Sequence, residues 1–295
     1  MSAGTRERVD EPSHLAFLFG DPVAHSLSPV IHNAAFSALG LDAEYRAMKI
    51  SPGDLPEAVS SLRSEGVLGA NITIPHKEAA TALVDDLTPR AKTIGAVNTI
   101  GVKEDGRLLG DNTDVSGFLA PIGSHMESIS GGSAVIFGAG GAARAVCYAL
   151  LTTMRPSRLT IVARRIGQAE QLIADLAMAD GSGVLCSTFF DEAGRTVRDS
   201  RLIVNATPVG MHPADAVSPW PAFSDFHDGQ VVYDLVYAPA QNDKQTRLLR
   251  EAADQGALAI GGMAMLIAQA AASFKLWTGR EMPLDAVRKA LSSTF

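Results

Sequence analysis

Cysteine is scarce in this 295-residue chain, with Cys147 and Cys186 the only two. Two thiols that far apart exclude a disulfide-stapled secreted scaffold and offer no metal-ligand spacing. Charged residues are few as well, 19% against the ~25% of an average globular protein, while 46% are hydrophobic, so a disordered composition is ruled out. Cations are outnumbered, 25 Lys plus Arg against 32 Asp plus Glu, for a net charge of −7. That balance excludes nucleic acid as the main partner, because phosphate neutralisation needs surplus cations. An anionic small molecule needs only a local donor cluster. No window approaches the ~20 apolar residues of a membrane span, and the opening MSAGTRERVDEPSH has no apolar core, so it does not read as a signal peptide. The expectation is a soluble cytoplasmic protein with a loose tail of about a dozen residues.

What the chain does have is alternation. Leu15–Gly20 reads as a strand, Pro29–Leu39 as a helix closed by Gly40, Glu44–Ile50 as a strand and Leu55–Glu65 as a helix. Gly69–Thr73 is a further strand, running into a helix expected near Pro75, and Asp105-Gly106 sits between two extended pieces as a hairpin signal. A second series opens with SAVIF at Ser133, then GAGGAARAVCYALL, LTIV (159–162), a helix near Gln168–Met178, and strands at 201–205 and 230–236. Two helices end the chain, Gly262–Trp277 and Leu284–Leu291. The expected fold is α/β, with a discontinuous α/β domain over 14–114 completed by terminal helices in 257–295, and a Rossmann-type domain over 115–256. Crossings near Asp114 and 256–261 place a cleft between them.

Gly138-Ala139-Gly140-Gly141-Ala142-Ala143 follows a strand and opens a helix, fitting G-x-G-x-x-G/A. Glycines let the backbone approach a pyrophosphate, and the helix N-terminus supplies free N–H groups and partial positive charge. NAD binders place an acid ~20 residues on, for the ribose hydroxyls. Here Ala163-Arg164-Arg165 stands after LTIV instead, and guanidinium groups pair with a 2′-phosphate, so the pattern points to NADP.

The first half carries its own constellation. Ser28 before Pro29 reads as an N-cap, and Ser26 adds a second hydroxyl, together a site for a carboxylate. Lys77, in NITIPHK, is placed just inside the helix expected at Pro75, where a cation opposes the dipole and propensity does not explain it. Asn98 and Asp114 read equally as turn or cap residues and as functional ones, Asp114 as the N-cap of the helix entering the second domain. His25, His32 and His76 lack ligand spacing and make no metal site; Met263 and Met265 read as packing against the cofactor face.

Taken together, GDPVAHSLSPVIHN, NITIPHK, GAVNT, GDNTD, GAGGAARA, NATPVGM, VYDLVY and AQAAASF resemble the shikimate dehydrogenase family, in the family's order, from about Leu15 to the carboxyl terminus. The resemblance implies an α/β substrate domain and a Rossmann-type NADP domain, with the active site between. It implies that Ser26 and Ser28 hold the substrate carboxylate, that Thr73, Asn98, Asp114 and Gln269 bind ring hydroxyls, and that Tyr237 sits beside the ring. Lys77 is implied as the acid/base residue with Asp114 as partner. Gly138, Ala139, Gly140, Gly141, Ala142, the segment from Ala163 to Gln168 that contains Arg164 and Arg165, Leu235 and Gly262 are implied to line the cofactor. Hydride delivered to a ketone leaves an alkoxide, which a charged lysine both stabilises and protonates.

The sequence departs from the family's pattern in places. Ala163 stands where asparagine is common, Gln168 where a further arginine is, and Ala264 where a glycine is. Val115 replaces a frequent glycine, in an NTDVSGF wording shared with members that also oxidise quinate. The function implied is NADP-dependent reduction of 3-dehydroshikimate to shikimate, with a small-molecule substrate, no nucleic acid, no membrane, and a monomer or homodimer. An NAD-preferring quinate/shikimate dehydrogenase is the rival enzyme, and a non-catalytic sensor of the same fold the rival of another class.

Overall fold

The structure, a computed structural model, describes residues 12–211, 216–237 and 245–294. The polar tail expected at the amino terminus lies, through residue 11, outside these.

Two six-stranded sheets form. The first contains β1 (His14–Gly20), β2 (Ala43–Lys49), β3 (Val67–Ile72), β4 (Asp86–Leu87), β5 (Thr99–Val102) and β6 (Leu108–Asp111), in the order β2-β1-β3-β5-β6-β4. β1 pairs in parallel with β2 and β3, while β3–β5 and β5–β6 are antiparallel. The Asp105-Gly106 signal is the turn of the β5–β6 hairpin, with Gly106 at φ 78°. The second sheet holds β7 (Ser133–Phe137), β8 (Arg158–Val162), β9 (Leu185–Thr188), β10 (Leu202–Asn205), β11 (Val231–Asp234) and β12 (Leu258–Gly261), in the order β12-β11-β10-β7-β8-β9 with every pair parallel. Its central strands SAVIF and LIVN are near-continuous apolar runs because helices cover both faces.

The helix Asp114–Ile122 joins the two sheets. The last two helices, Gly262–Thr278 and Leu284–Thr294, return to the first: Phe274, Val287 and Leu291 share one core cluster with Leu18, Ile31 and Phe36. Each such side chain, fully buried, contributes roughly 1.5–3 kcal/mol. The return begins later than the boundary expected at 257, because β12 pairs with β11 in the second sheet and the chain leaves it only at Gly262.

No helix starts at Pro75. Residues 73–78 form turns, closed by His76 N–H donating to the Thr73 carbonyl at 2.9 Å, and a short 3-10 helix follows at Ala79–Ala82. The buried His76 ring anchors that turn through Nε2 to the Ile50 carbonyl at 2.8 Å. Lys77 therefore sits on a pinned turn, and the dipole argument for it does not apply. Ser28 and Asp114 are likewise the first residues of their helices, and neither side chain makes a capping bond.

Candidate active site

Three strand ends of the first sheet meet beside the joining helix. Where β1 and β3 end, Thr73 N–H donates to the Phe19 carbonyl at 2.9 Å and Asp21 N–H to the Ile74 carbonyl at 2.8 Å, stitching the two loops together. Asn98, just before β5, is held by its backbone between Ile72 and Asp111.

Its side-chain amide is engaged at both ends. Oδ1 accepts from Thr113 N–H at 2.7 Å, and Nδ2 donates to Asp114 Oδ1 at 2.8 Å. The other carboxylate oxygen, Oδ2, accepts from Lys77 Nζ at 2.6 Å. This pair is sheltered, with the side chains of Lys77 and Asp114 only 16% and 6% exposed. At that depth the pair lies well away from the weak regime of exposed surface ion pairs. Asp114 thus has a donor on each oxygen, and Lys77 keeps two N–H bonds for another acceptor.

Behind the pair runs a buried polar network that the sequence reading did not single out. Asn71 Nδ2 donates to Thr99 Oγ1 at 3.0 Å and Ser273 Oγ at 2.9 Å, while its Oδ1 accepts from Tyr45 OH at 2.9 Å. Ser273 Oγ donates to the Gln269 carbonyl at 3.1 Å, tying the network to the helix Gly262–Thr278. Most of these residues lie inside motifs quoted above, yet each reads alone as an ordinary strand or helix residue. A satisfied network of this kind holds its members rigidly.

A cavity of about 480 Å³ opens in front of the pair. Ser26, Ser28, Thr73, Lys77, Asn98, Asp114, Tyr237 and Gln269 all line it, and Ala142, Leu235 and Gly262 line its other side. Ser26 Oγ accepts from Ser28 N–H at 3.2 Å, so the hydroxyls sit together at the start of the helix Ser28–Ala38. Tyr237 crosses from the second half: burial pushes its phenol up, and hydrogen bonds to the Leu27 backbone and the Ser26 side chain pull it the other way. Met265 lines the cavity, whereas Met263 packs on the first half's core.

Outside the cavity lining, Gly138, Ala139, Gly140 and Gly141 form the turn into the helix Gly141–Ala149. Gly138 stands at φ 105°, where a β-carbon would also meet Thr207 Cγ2 at 3.0 Å. The space above Gly140 is open, with nothing within 4 Å of where its β-carbon would lie. Arg164 and Arg165 are exposed at the entry to the helix Ile166–Asp175, and among the described residues their guanidinium groups make no ion pair. An open helix N-terminus and two uncommitted guanidinium groups fit a phosphorylated dinucleotide. Behind Leu235, buried Asp234 accepts from Asn205 Nδ2, Val236 N–H and Thr246 Oγ1; the sequence reading missed it too. Among the described residues no cluster of metal-ligating side chains occurs, and no helix is long and apolar enough to cross a membrane.

Comparison with known proteins gives concordant matches. The family model for the shikimate dehydrogenase substrate binding domain matches residues 18–100, and that for the shikimate 5'-dehydrogenase C-terminal domain matches 262–291. A shikimate dehydrogenase (NADP(+)) of Salinibacter ruber is 53% identical over 96% of this chain and 98% of its own. Among solved structures, a shikimate dehydrogenase in complex with NADP+ superposes with a TM-score of 0.86 at 34% identity, covering 95% of each chain. A quinate dehydrogenase from Corynebacterium glutamicum in complex with NAD superposes at 0.84 and 31% identity, covering 95% of this chain and 99% of its own.

Proposed function

The chain belongs to the shikimate dehydrogenase family, and on that premise we propose how its cleft works as an NADP-dependent oxidoreductase that interconverts 3-dehydroshikimate and shikimate. The observation that carries the assignment of roles is the sheltered Lys77–Asp114 pair, 2.6 Å apart, on the wall of a cavity lined from both halves.

Ser26 and Ser28, with the helix N-terminus behind them, receive the substrate carboxylate. Thr73, Asn98 and Gln269 orient the ring hydroxyls, and Tyr237 closes the cavity over the ring. The Gly138–Ala142 turn would hold the pyrophosphate of NADP, Arg164 and Arg165 its 2′-phosphate, and Leu235 and Gly262 would line the nicotinamide end; when bound, the cofactor would supply or accept the hydride. Lys77 donates a hydrogen bond to the substrate carbonyl oxygen and stabilises the negative charge that grows there as the carbonyl is reduced. It then gives that oxygen its proton, and solvent restores the ammonium. Asp114, held through its other oxygen by Asn98, keeps Nζ on station. In the reverse direction Lys77 first releases a proton to solvent and then takes the hydroxyl proton as the hydride leaves the carbon.

The domain division that suits this reading runs 14–114 with the terminal helices from Gly262 for substrate and 115–261 for cofactor, so that β12 belongs to the latter. The protein works in the cytoplasm as a monomer or homodimer. The test is the loss of NADPH absorbance on adding 3-dehydroshikimate, repeated with NADH, and in the oxidative direction with shikimate and quinate. Preference for NADPH with 3-dehydroshikimate supports the reading; preference for NAD with quinate overturns it.

A further inference from the structure

Arg144 lies in the helix Gly141–Ala149, just past the dinucleotide turn, and its side chain is only 7% exposed. A guanidinium is always charged, so at that depth it requires acceptors. Those acceptors come from both halves of the molecule. Nη2 donates to Asp175 Oδ2 at 2.5 Å, at the end of the helix that starts directly after Arg164 and Arg165. Nη1 donates to the carbonyl of Ile94 at 3.2 Å, the last residue of the helix Pro89–Ile94. Nε stands 3.5 Å from Oε2 of Glu78 and makes no hydrogen bond.

These contacts bracket the site. Glu78 follows Lys77, whose carbonyl accepts from Val97 N–H at 2.8 Å. Ile94 precedes Gly95, which turns the chain at φ 69° toward Asn98. One side chain of the cofactor half thus reaches both substrate-half segments that carry Lys77 and Asn98. We propose that Arg144 is a positioning residue, a clasp that holds the Lys77–Glu78 and Ile94–Asn98 segments in register with the dinucleotide turn. Glu78 is its movable arm: its side chain is 52% exposed, and a small shift toward Nε satisfies a buried charged donor that otherwise lacks a partner. This rests on the function proposed above, because the register it sets is that between Lys77 and the hydride donor.

The test uses Arg144→Met, which keeps apolar bulk and removes charge, with Arg144→Lys and Glu78→Gln as companions. Steady-state kcat and KM for shikimate and NADP+ are measured, together with hydrogen exchange of the ligand-free full chain. In Arg144→Met, kcat is expected to fall by about tenfold or more while KM for NADP+ moves by less than about threefold. Arg144→Lys restores part of kcat, and Glu78→Gln lowers it less than Arg144→Met does. Gly95 and Val97 amides exchange faster in Arg144→Met, with β7 and β10 unchanged. Unchanged kcat with unchanged exchange overturns the proposal. So does faster exchange throughout the second sheet, the mark of a residue that only packs. If Arg144→Met does not fold, Arg144→Lys and Glu78→Gln carry the same readouts, and unaltered kcat in both overturns the clasp. Exchange is read without substrate, so an unmodified protein that fails to turn over shikimate defeats the proposed function, while the clasp is then decided by exchange.

Discussion

Gly141 faces the side chain of Lys77 so closely that a β-carbon on it would lie 3.0 Å from Lys77 Cβ and 3.3 Å from Cδ. The dinucleotide turn of one half and the lysine of the other are in contact, and only the missing side chain permits it. Gly141→Ala is expected to lower kcat by about tenfold, because displacing Nζ by a fraction of an ångström spoils the attack geometry. Helix propensity itself favours alanine by up to about 1 kcal/mol. A fall in kcat without a fall in Tm supports this contact; unchanged kcat argues against it.

Arg164 and Arg165 are expected to select the phosphorylated cofactor. Replacing both by glutamine should raise KM for NADP+ by roughly tenfold or more, the value of lost charge-assisted hydrogen bonds, and leave KM for NAD+ nearly unchanged. Equal changes for both cofactors would move the selecting group elsewhere.

His32 contributes to the acid side of stability. It is fully buried, stacks on Tyr45 with ring centroids 4.3 Å apart, and neither ring nitrogen has a partner. Burial pushes its pKa down to about 3. The folded protein thus keeps the ring neutral, while the unfolded chain takes up a proton below ~6.5. Stability is fully present above that value and is lost as pH falls toward 3, by up to about 1.4 kcal/mol per pH unit. His32→Phe should flatten this arm, measured by urea unfolding at ~pH 7 and ~pH 5. The same acid loss in both proteins would contradict it.

Asp234 titrates with the opposite sign. Burial pushes its pKa up to about 6 from 3.8, against the hydrogen bonds from Thr246, Val236 and Asn205. The folded state therefore holds the proton more tightly, so its contribution is full below 3.8 and is lost as pH rises through about 6. Asp234→Asn should be most destabilising in acid and gain on the parent as pH rises. Urea midpoints of the two proteins converge with pH on this account, and a constant gap contradicts it.

The architecture was legible because both sheets announce themselves by period and punctuation. SAVIF, LTIV and RLIVN are apolar runs of buried parallel strands, and Asp105-Gly106 is a hairpin turn. The helix expected at Pro75 was not there because tertiary contacts prevailed: the His76 ring bonds the Ile50 carbonyl and pins a turn. The β12 pairing was missed for a similar reason, since Leu258–Gly261 is a short edge strand defined by its neighbour rather than by its own pattern. The residues expected around the substrate do line one cavity. Asn71, Thr113 and Ser273 escaped notice because a buried hydrogen-bond network joins residues as distant as 71 and 273, and no local spacing encodes that. Arg144 escaped because its partners lie in three separate stretches.

The central claim is that Lys77 acts on the substrate oxygen as charge develops there, held by Asp114. Lys77→Met tests it most directly, through kcat and KM for shikimate oxidation in a protein shown to be folded by its Tm. The account expects kcat to drop by about 10²–10⁴-fold with KM for shikimate changed only slightly. A Lys77→Met enzyme that keeps its kcat would contradict it.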